Sequence, residues 1–460
     1  MEIAQTPAEA EPEISTKSEM IYGLHDRPPF RESLFVALQH VFAVFVGVVT
    51  PPLIVCNALK LSSTDTTFLV SMSLFISGVA TIIQSRKFGP VGSGLLSIQG
   101  TSFTFIGPII AAAGASIAAG DTPAHALGVV FGMCAVGSLG AMIISRFIRH
   151  ASRVITPLVT GTVVTLIGLT LIEVGITSMG GGFGAKADGT FGSLDNLGLA
   201  GFVIAVIVIL NTSKIPYLRM MSVVIGLAAG YTAAFLMGKV DLSSMKALKG
   251  ITMPLPLHYG FGFNVTAFTP FIFMYLITVM ESIGDLTATS TLTGQPITGP
   301  IYFKRLQGGI LADGVNSLLA ACFNCFPMTT FAQNNGVIQL TGVGSNYVGI
   351  FIGAILIVLG LIPAVGGLVQ ALPQAALGGA TIIMFGTVAV AGIRILSHVN
   401  MNRRSCLIMA ISLSLGLGVT FVPDILNHMP ALVKNTFSSG IATGGISALF
   451  LNIVLPGARD

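Results

Sequence analysis

The chain has 460 residues, of which 53% are hydrophobic and only 9% are charged. Soluble domains carry roughly 25% charged residues, so this composition excludes a soluble enzyme and a disordered scaffold. The net charge of +4 is small and scattered along the chain, which excludes a nucleic-acid-binding surface. The sequence therefore predicts an all-α membrane protein that crosses the bilayer many times.

At the N-terminus, the first twenty residues hold five glutamates and no apolar run. A signal peptide begins with basic residues and continues with an apolar run, so we interpret residues 1–27 as a disordered tail. Among the five cysteines, Cys322 and Cys325 form a CxxC pair with no His or second pair nearby. The sequence therefore predicts no metal site, no bound cofactor and no disulfide framework.

Fourteen segments are candidate membrane spans, since about 20 apolar residues cross the hydrocarbon layer. They lie near residues 34–56, 66–84, 92–114, 125–147, 154–176, 194–212, 219–238, 266–289, 308–326, 329–343, 346–366, 375–396, 406–422 and 439–456. With the N-terminus inside, sixteen of the 22 Lys and Arg residues fall on the cytoplasmic side. This bias favours fourteen spans with both termini in the cytoplasm.

Fourteen spans divide into two repeats of seven. Because each repeat has an odd number of spans, the second repeat has the opposite orientation in the membrane to the first. A faint internal similarity relates the fifth span, with Pro157, Gly161 and Gly168, to the twelfth, with Pro373, Gly378 and Gly386. Inverted repeats are typical of secondary transporters. The sequence therefore predicts a 7+7 inverted repeat.

The third and tenth spans are poor helices. Polar and apolar residues nearly alternate from Ser97 to Phe105, and Pro327 and four carboxamides interrupt residues 325–342. Extended backbone is tolerated at membrane depth only where protein or a cavity satisfies its N–H and C=O groups. We therefore expect a short strand followed by a half-helix in each span, with the two crossing near the midplane.

Three acidic residues and one histidine lie deep inside predicted spans, away from the span ends: Glu281 and Asp285 in the eighth, Asp313 in the ninth and His40 in the first. A charge in hydrocarbon costs about 2.5–3.5 kcal/mol or more, so such residues usually mark an ion or substrate path. Glu281 and Asp285 share one helical face, where their mutual repulsion favours binding of a proton. Two structural alternatives remain: Asp285 caps a helix break at Gly284, or Asp313 and His40 form a buried hydrogen bond.

The side chains near the two broken spans indicate the kind of ligand. The Glu281 carboxylate accepts from N–H donors, the Gln333 carboxamide both donates and accepts, and Phe103 can stack on a flat ring. The complement is a planar heterocycle with adjacent N–H and C=O groups, as in a nucleobase. An inorganic anion requires Lys or Arg, and none lies at membrane depth in the predicted spans.

Several motifs resemble the nucleobase–ascorbate transporter family, also called nucleobase:cation symporter-2. Residues 333–342 resemble the family signature, and Gln39-His40 resembles its motif in the first span. Residues 281–285 resemble its carboxylate pair, and residues 311–314 resemble its acidic position in the ninth span. The resemblance extends from about Arg27 to the C-terminus and is strongest to the bacterial xanthine permeases.

This resemblance implies an elevator-type proton symporter for a purine nucleobase, embedded in the lipid of a bacterial inner membrane and usually a homodimer. It implies a core domain of residues 28–150 (spans 1–4) and 263–368 (spans 8–11). It also implies a gate domain of residues 151–262 (spans 5–7) and 369–460 (spans 12–14). The core is expected to move past the gate.

The resemblance also assigns roles by matching position. The residues expected at the purine are Glu281, Gln333, Phe103 and Ser102. The residues expected to serve proton coupling or affinity are Asp285, Asp313, His40 and Asn334. Xanthine-selective members can carry Asn where this chain has Ser102, so uric acid, or a broader set including hypoxanthine and guanine, remains open beside xanthine.

Two rival classes fit less well. An anion exchanger or channel of the same architecture needs cationic groups at the half-helix ends. An intramembrane aspartyl protease can use Asp285 and Asp313, but Ser282 breaks its GxGD motif. The chain is therefore interpreted as a transporter and not as an enzyme, with proton-coupled uptake of xanthine as its first assignment.

Overall fold

The computed structural model of the protein describes residues 20–151, 154–240 and 250–456. The first half contains α1 (Phe30–Ala58), α2 (Ser63–Arg86), β1 (Gln99–Thr101), α3 (Ile106–Ala118), α4 (Pro123–Arg146), α5 (Ile148–Ala151), α6 (Pro157–Met179), α7 (Gly182–Asp188), α8 (Leu194–Asn211), α9 (Pro216–Met220) and α10 (Ser222–Leu236). The second half contains α11 (Val265–Leu292), α12 (Gly299–Cys322), β2 (Met328–Thr330), α13 (Gln333–Thr341), α14 (Val348–Leu361), α15 (Pro363–Gln370), α16 (Gln374–Leu396), α17 (Arg403–Phe421), α18 (Ala431–Phe437) and α19 (Gly440–Val454).

Among the described helices, eight are long and apolar enough to cross a membrane by length and composition. Helices α14 and α15 form a further apolar pair, bent by 77°. The bend falls at Pro363 because a proline disfavours helical backbone in the residue before it. Three more apolar helices are shorter: Phe103–Ala118, Ser222–Leu236 and Gly440–Val454. The prediction of a mostly helical membrane protein is confirmed.

Two short strands interrupt the helices. Strands β1 and β2 are antiparallel, with Gln99 opposite Thr330 and Thr101 opposite Met328. Two further bonds extend this ladder, from the Phe331 N–H to Ile98 O (3.0 Å) and from the Ser102 N–H to Pro327 O (2.8 Å). All six strand residues are buried. The ladder satisfies backbone groups that have no access to water, and each strand leads into a helix, α3 or α13.

Helices α6 and α16 pack antiparallel through glycines. A Cβ atom at Gly168 would lie 2.3 Å from the backbone N of Ala389, and one at Gly392 would lie 2.3 Å from the backbone N of Thr165. These separations are shorter than any nonbonded contact, so a larger residue would push the helices apart. Small residues of this kind allow close helix packing inside membranes.

The helices pack in pairs that recur in the two halves of the chain. Helix α2 packs on α14, while α4 packs on α12. Helix α8 packs on α10, while α17 packs on α19, and the α1–α10 contact matches the α11–α19 contact. These contacts correspond when α1, α2, α4, α8 and α10 are matched with α11, α12, α14, α17 and α19. The helix contacts of one half, including those it makes with the other half, therefore correspond to the contacts of the other half.

The segment before α1 is ordered by the loop that follows α13. The N–H groups of Ile21 and Tyr22 donate to Gly342 O over 2.8 and 3.2 Å, and the Gly344 N–H donates to Tyr22 O over 3.0 Å. The prediction of a disordered tail over residues 1–27 is therefore wrong for residues 20–27, which are ordered. Residues 1–19 lie outside the described residues.

The loop before α11 is tied to three other helices. The Tyr259 hydroxyl donates to Asp65 Oδ1 over 2.6 Å near the start of α2. Burial, and then this hydrogen bond, raise the pKa of Tyr259 above its ordinary value. The Leu257 N–H donates to the last residue of α12, Cys322, and the Gly262 N–H donates to Gly128 of α4. The loop therefore joins the ends of α2 and α12 to α4.

Candidate functional site

The two strands meet at the centre of four helices. Helices α1 and α2 contact β1, and helices α11 and α12 contact β2. Helix α13 begins three residues after β2 and packs on both α1 and α11. Every residue proposed from the sequence as part of the site lies on one of these elements or in the turn that joins β1 to α3.

Glu281 lies on α11 and is half-buried. The Thr329 hydroxyl, from β2, donates to Glu281 Oε2 over 3.5 Å, which is at the limit of a hydrogen bond. No other hydrogen bond to its carboxylate comes from the described residues. A carboxylate accepts up to about four hydrogen bonds, so Glu281 keeps acceptor capacity for a ligand.

Asp285, one turn further along α11, is held by the half-helix. The Asn335 carboxamide donates to Asp285 Oδ1 over 2.7 Å, and the Thr289 hydroxyl donates to Asn335 Oδ1 over 2.7 Å. The second oxygen, Asp285 Oδ2, is buried without a hydrogen-bond partner among the described residues. Helix α11 is continuous through Gly284, so the alternative in which Asp285 caps a helix break is wrong.

Asp313, on α12, joins β1 to α11. It accepts a hydrogen bond of 2.8 Å from Gln99 Nε2 and another from the Ser282 hydroxyl. The alternative in which Asp313 pairs with His40 is wrong. His40 is fully buried beside Asn334, and both of its ring nitrogens lack hydrogen-bond partners among the described residues.

The start of α13 carries the two predicted carboxamides. Asn334 is fully buried and donates from Nδ2 to Leu96 O over 2.6 Å, which fixes α13 to the segment before β1. Gln333, the first residue of α13, is half-buried. No described residue hydrogen-bonds its side chain. Gln333 and Glu281 are thus two half-buried polar side chains at the crossing that keep hydrogen-bonding capacity.

An aromatic cluster lies beside the strands. The Phe103 ring stacks near Phe331, with centroids 6.3 Å apart and planes at 24°, and meets Phe385 of α16 edge-on at 5.4 Å. Glycines make room for Phe331: a Cβ at Gly100 would lie 2.4 Å from its Cζ, and one at Gly47 would lie 2.7 Å from its Cε2. Phe103 therefore lies in a packed aromatic cluster beside the two strands.

Ser102 occupies the turn between β1 and the 3₁₀ helix Phe103–Phe105. Its side chain is 1% exposed and accepts a hydrogen bond of 3.3 Å from the Thr104 N–H. The small side chain therefore caps this turn directly beside Phe103.

The structure brings the predicted acidic residues together. Glu281 lies within electrostatic range of Asp285 and Asp313. None of the three forms an ion pair within the described part of the chain, where both recorded ion pairs lie elsewhere. A group of His, Cys, Asp or Glu suited to a metal ion is also not found among the described residues.

Five residues of this network were not predicted from the sequence: Gln99, Ser282, Thr329, Phe331 and Asn335. Gln99 and Thr329 lie in segments that already indicated strands, and Ser282 lies between the two carboxylates of α11. The positions of these residues indicated that they lie near the site, but the residues to which Gln99, Ser282 and Thr329 hydrogen-bond lie more than 30 residues away in the sequence. Only the fold identifies those partners.

A mostly helical membrane protein whose broken spans meet at buried carboxylates and carboxamides has the construction of a secondary transporter. A family model described as "Permease family" matches residues 31–425. The chain belongs to this family, the nucleobase–ascorbate transporters that its motifs resemble, and is a transporter and not an enzyme.

Known proteins similar to this chain include two permeases and one solved structure. Xanthine permease XanP of Escherichia coli is 52% identical over 449 residues, which cover 97% of each chain. Uric acid permease PucJ of Bacillus subtilis is 35% identical over 422 residues, 91% of each chain. The transmembrane domain of a cyanobacterial bicarbonate transporter, BicA, has a similar fold, with a TM-score of 0.60 at 16% identity, covering 90% of this chain and 99% of that domain.

Proposed function

We propose that this protein takes up a purine nucleobase, first of all xanthine, across the bacterial cytoplasmic membrane together with protons. The 52% identity to a xanthine permease over nearly the whole of both chains supports the substrate class. The observation that carries the proposal is the pair of polar side chains at the crossing, Glu281 and Gln333, which remain available to a ligand beside the Phe103 ring.

A purine ring fits the chemistry of these side chains. Glu281 Oε atoms accept from a ring N–H, while the Gln333 carboxamide pairs with a neighbouring C=O and N–H. Phe103 offers an aromatic face, and the backbone around Ser102 and Phe103 closes one side. A hydrogen bond to a charged group contributes about 1.5–3 kcal/mol, so these contacts select a ligand with that pattern of donors and acceptors.

The acidic cluster supports coupling to protons. Three neighbouring carboxylates without an ion pair repel one another strongly where little water screens them. Binding a proton at one of them relieves that repulsion, and release requires a change in the surroundings. In our proposal the ionised Glu281 holds the purine while a proton binds at Asp285 or Asp313, and His40 and Asn334 tune affinity and coupling.

The recurrent helix packing supports a 7+7 inverted repeat of fourteen spans. The antiparallel pairs β1–β2 and α6–α16 join equivalent elements of the two halves, as a two-fold axis in the membrane plane would. We infer that spans 1–4 and 8–11 form a core that moves past a gate of spans 5–7 and 12–14. We also propose a homodimer with both termini in the cytoplasm.

Uric acid is the second candidate substrate. Ser102 is a small residue beside Phe103, and in our proposal this small side chain leaves room for the additional oxygen of a more oxidised purine. The 35% identity to a uric acid permease also supports uric acid as a substrate.

Uptake of labelled xanthine by cells that express Glu281→Gln tests the proposal. The substitution keeps the shape of the side chain and removes its charge and its ability to exchange a proton. We expect uptake to fall by about ten- to a hundredfold, the effect of losing 1.5–3 kcal/mol. Glu173→Gln, which changes an exposed acid on α6, is the control and should stay within twofold of the wild type. Near-normal, pH-dependent uptake by Glu281→Gln at equal expression would contradict the proposal.

A further inference from the structure

A hollow lies away from Glu281, where helix α1 ends. Its volume is about 360 Å³. The end of α1, the loop around α7 and the start of α16 line it, with side chains that include Asn57, Lys60, Phe183, Asp188 and Gln374. Ligand pockets of about 300 Å³ and above accommodate small molecules, so the hollow is large enough for one purine with some water.

A compact loop, residues 180–192, forms one wall of this hollow and is called the cap here. The Gly192 N–H and the Asn196 carboxamide both donate to Gly180 O, over 2.9 and 3.0 Å, and close the base of the cap. Lys186 Nζ lies over the rings of Phe183 and Phe191, 5.5 and 5.0 Å from their centroids. The wall is therefore built by its own contacts and does not need a ligand to form.

The side chains in the hollow suit the substrate of the proposed function. The carboxamides of Asn57 and Gln374 are not hydrogen-bonded to any described side chain, so their donors and acceptors are available. Lys60 and Asp188 carry opposite charges, which favours a ligand with little net charge. Phe183 is 40% exposed and presents an aromatic ring. Carboxamides with an aromatic face match a planar heterocycle that bears adjacent N–H and C=O groups.

The hollow and the central site lie along the same pair of helices. Gln374 is the first residue of α16. Phe385 follows eleven residues later, about 16 Å along the helix, and its ring contacts Phe103. On α1, a Cβ at Gly47 would lie 2.7 Å from Phe331 and 3.5 Å from Met384 of α16. The two helices therefore extend from the hollow to the aromatic cluster, where Phe331 and Met384 pack beside Gly47.

We propose that this hollow is an outer docking site, at which a purine binds weakly on the external side before it reaches Glu281. This inference rests on the proposed function and on its orientation, which places the end of α1 and the start of α16 outside.

Gly184 allows a test with little risk to the fold. It lines the hollow, and a Cβ built on it would meet nothing within 4 Å. A leucine at this position therefore starts in open space, and we expect Gly184→Leu to reduce the volume of the hollow. Gly198→Leu is the matched control, because Gly198 also has open space around it but does not line the hollow. Gln374→Ala is a second variant that removes a carboxamide without adding volume.

The experiment measures weak binding of xanthine by saturation-transfer NMR to purified Glu281→Gln protein, in which the central site is disabled. We expect xanthine to bind to the Glu281→Gln protein and to the same protein with Gly198→Leu added. Adding either Gly184→Leu or Gln374→Ala instead should weaken this binding at least fivefold. No residual binding in Glu281→Gln, or residual binding that both hollow variants leave unchanged, overturns the outer docking site. Those binding results would not contradict the proposed function, which is tested separately by the uptake of labelled xanthine in cells that express Glu281→Gln.

Discussion

The carboxylates of Glu281 and Asp313 lie near each other but have different surroundings. Asp313 accepts hydrogen bonds from Gln99 and Ser282, whereas Glu281 accepts one long hydrogen bond from Thr329. A carboxylate whose oxygens already accept hydrogen bonds from the protein serves to hold structural elements together. A carboxylate whose oxygens can still accept hydrogen bonds is available to bind a ligand. We therefore place the substrate at Glu281 and assign Asp313 to positioning β1 against α11.

Ser102→Asn tests how a single residue sets substrate selectivity. Asn is as good a cap as Ser, so the 3₁₀ turn should persist. The larger side chain should reduce the space beside Phe103 and favour xanthine over uric acid by about tenfold, equivalent to about 1.4 kcal/mol. Competition of unlabelled uric acid against labelled xanthine uptake measures this ratio. An unchanged ratio in a variant that still transports would refute the role given to Ser102.

The crossing of the two strands shows what sequence predicts at the scale of elements. Alternating residues from Ser97 to Phe105 indicated extended backbone, and β1 lies inside that segment. The register of β1 against β2 and the depth of the crossing were not predictable from the sequence. Both depend on Phe331 filling the space beside Gly47 and Gly100, and these residues lie far apart in the sequence. The bond from Gln99 to Asp313 likewise spans 214 residues.

Gly100→Ala tests the packing at this crossing. Its Cβ would lie 2.4 Å from Phe331 Cζ, so the ring must move, at a cost of about 1–3 kcal/mol. We expect a lower melting temperature and reduced uptake, both partly restored by adding Phe331→Leu. Gly107→Ala, where an added Cβ meets nothing within 4 Å, is the control. A Gly100→Ala protein with wild-type stability and uptake would show that the crossing is not tightly packed.

At the scale of the whole molecule, the two halves repeat one packing arrangement. The glycine similarity between the fifth and twelfth predicted spans was visible in the sequence. The structure places Gly161, Gly168 and Gly378 where α6 and α16 touch, whereas a Cβ at Gly386 would meet nothing within 4 Å. Charge distribution predicted an orientation, and the proposed transport direction and the outer docking site depend on it. Which helix of one half meets which helix of the other was not predictable, because apolar helix surfaces in a membrane look alike in composition.

Labelling of single cysteines tests that orientation. Cys406 is exposed near the start of α17 and should react with a membrane-impermeant maleimide only after cells are opened. Asn427 lies beyond the other end of α17. A second protein that combines Asn427→Cys with Cys406→Ser should react in intact cells. Both proteins also carry Cys322→Ser, which removes the half-buried thiol at the end of α12. The reverse pattern would place both termini outside and contradict the proposed orientation.

An experimental structure with xanthine bound tests the central claim most directly, through the distances from the ring to Glu281 and Gln333. The account predicts that a carboxylate oxygen of Glu281 and the carboxamide of Gln333 both lie within about 3.2 Å of polar ring atoms, with the ring beside Phe103. Xanthine bound elsewhere in the bundle, with both side chains beyond hydrogen-bond reach of it, would contradict the account.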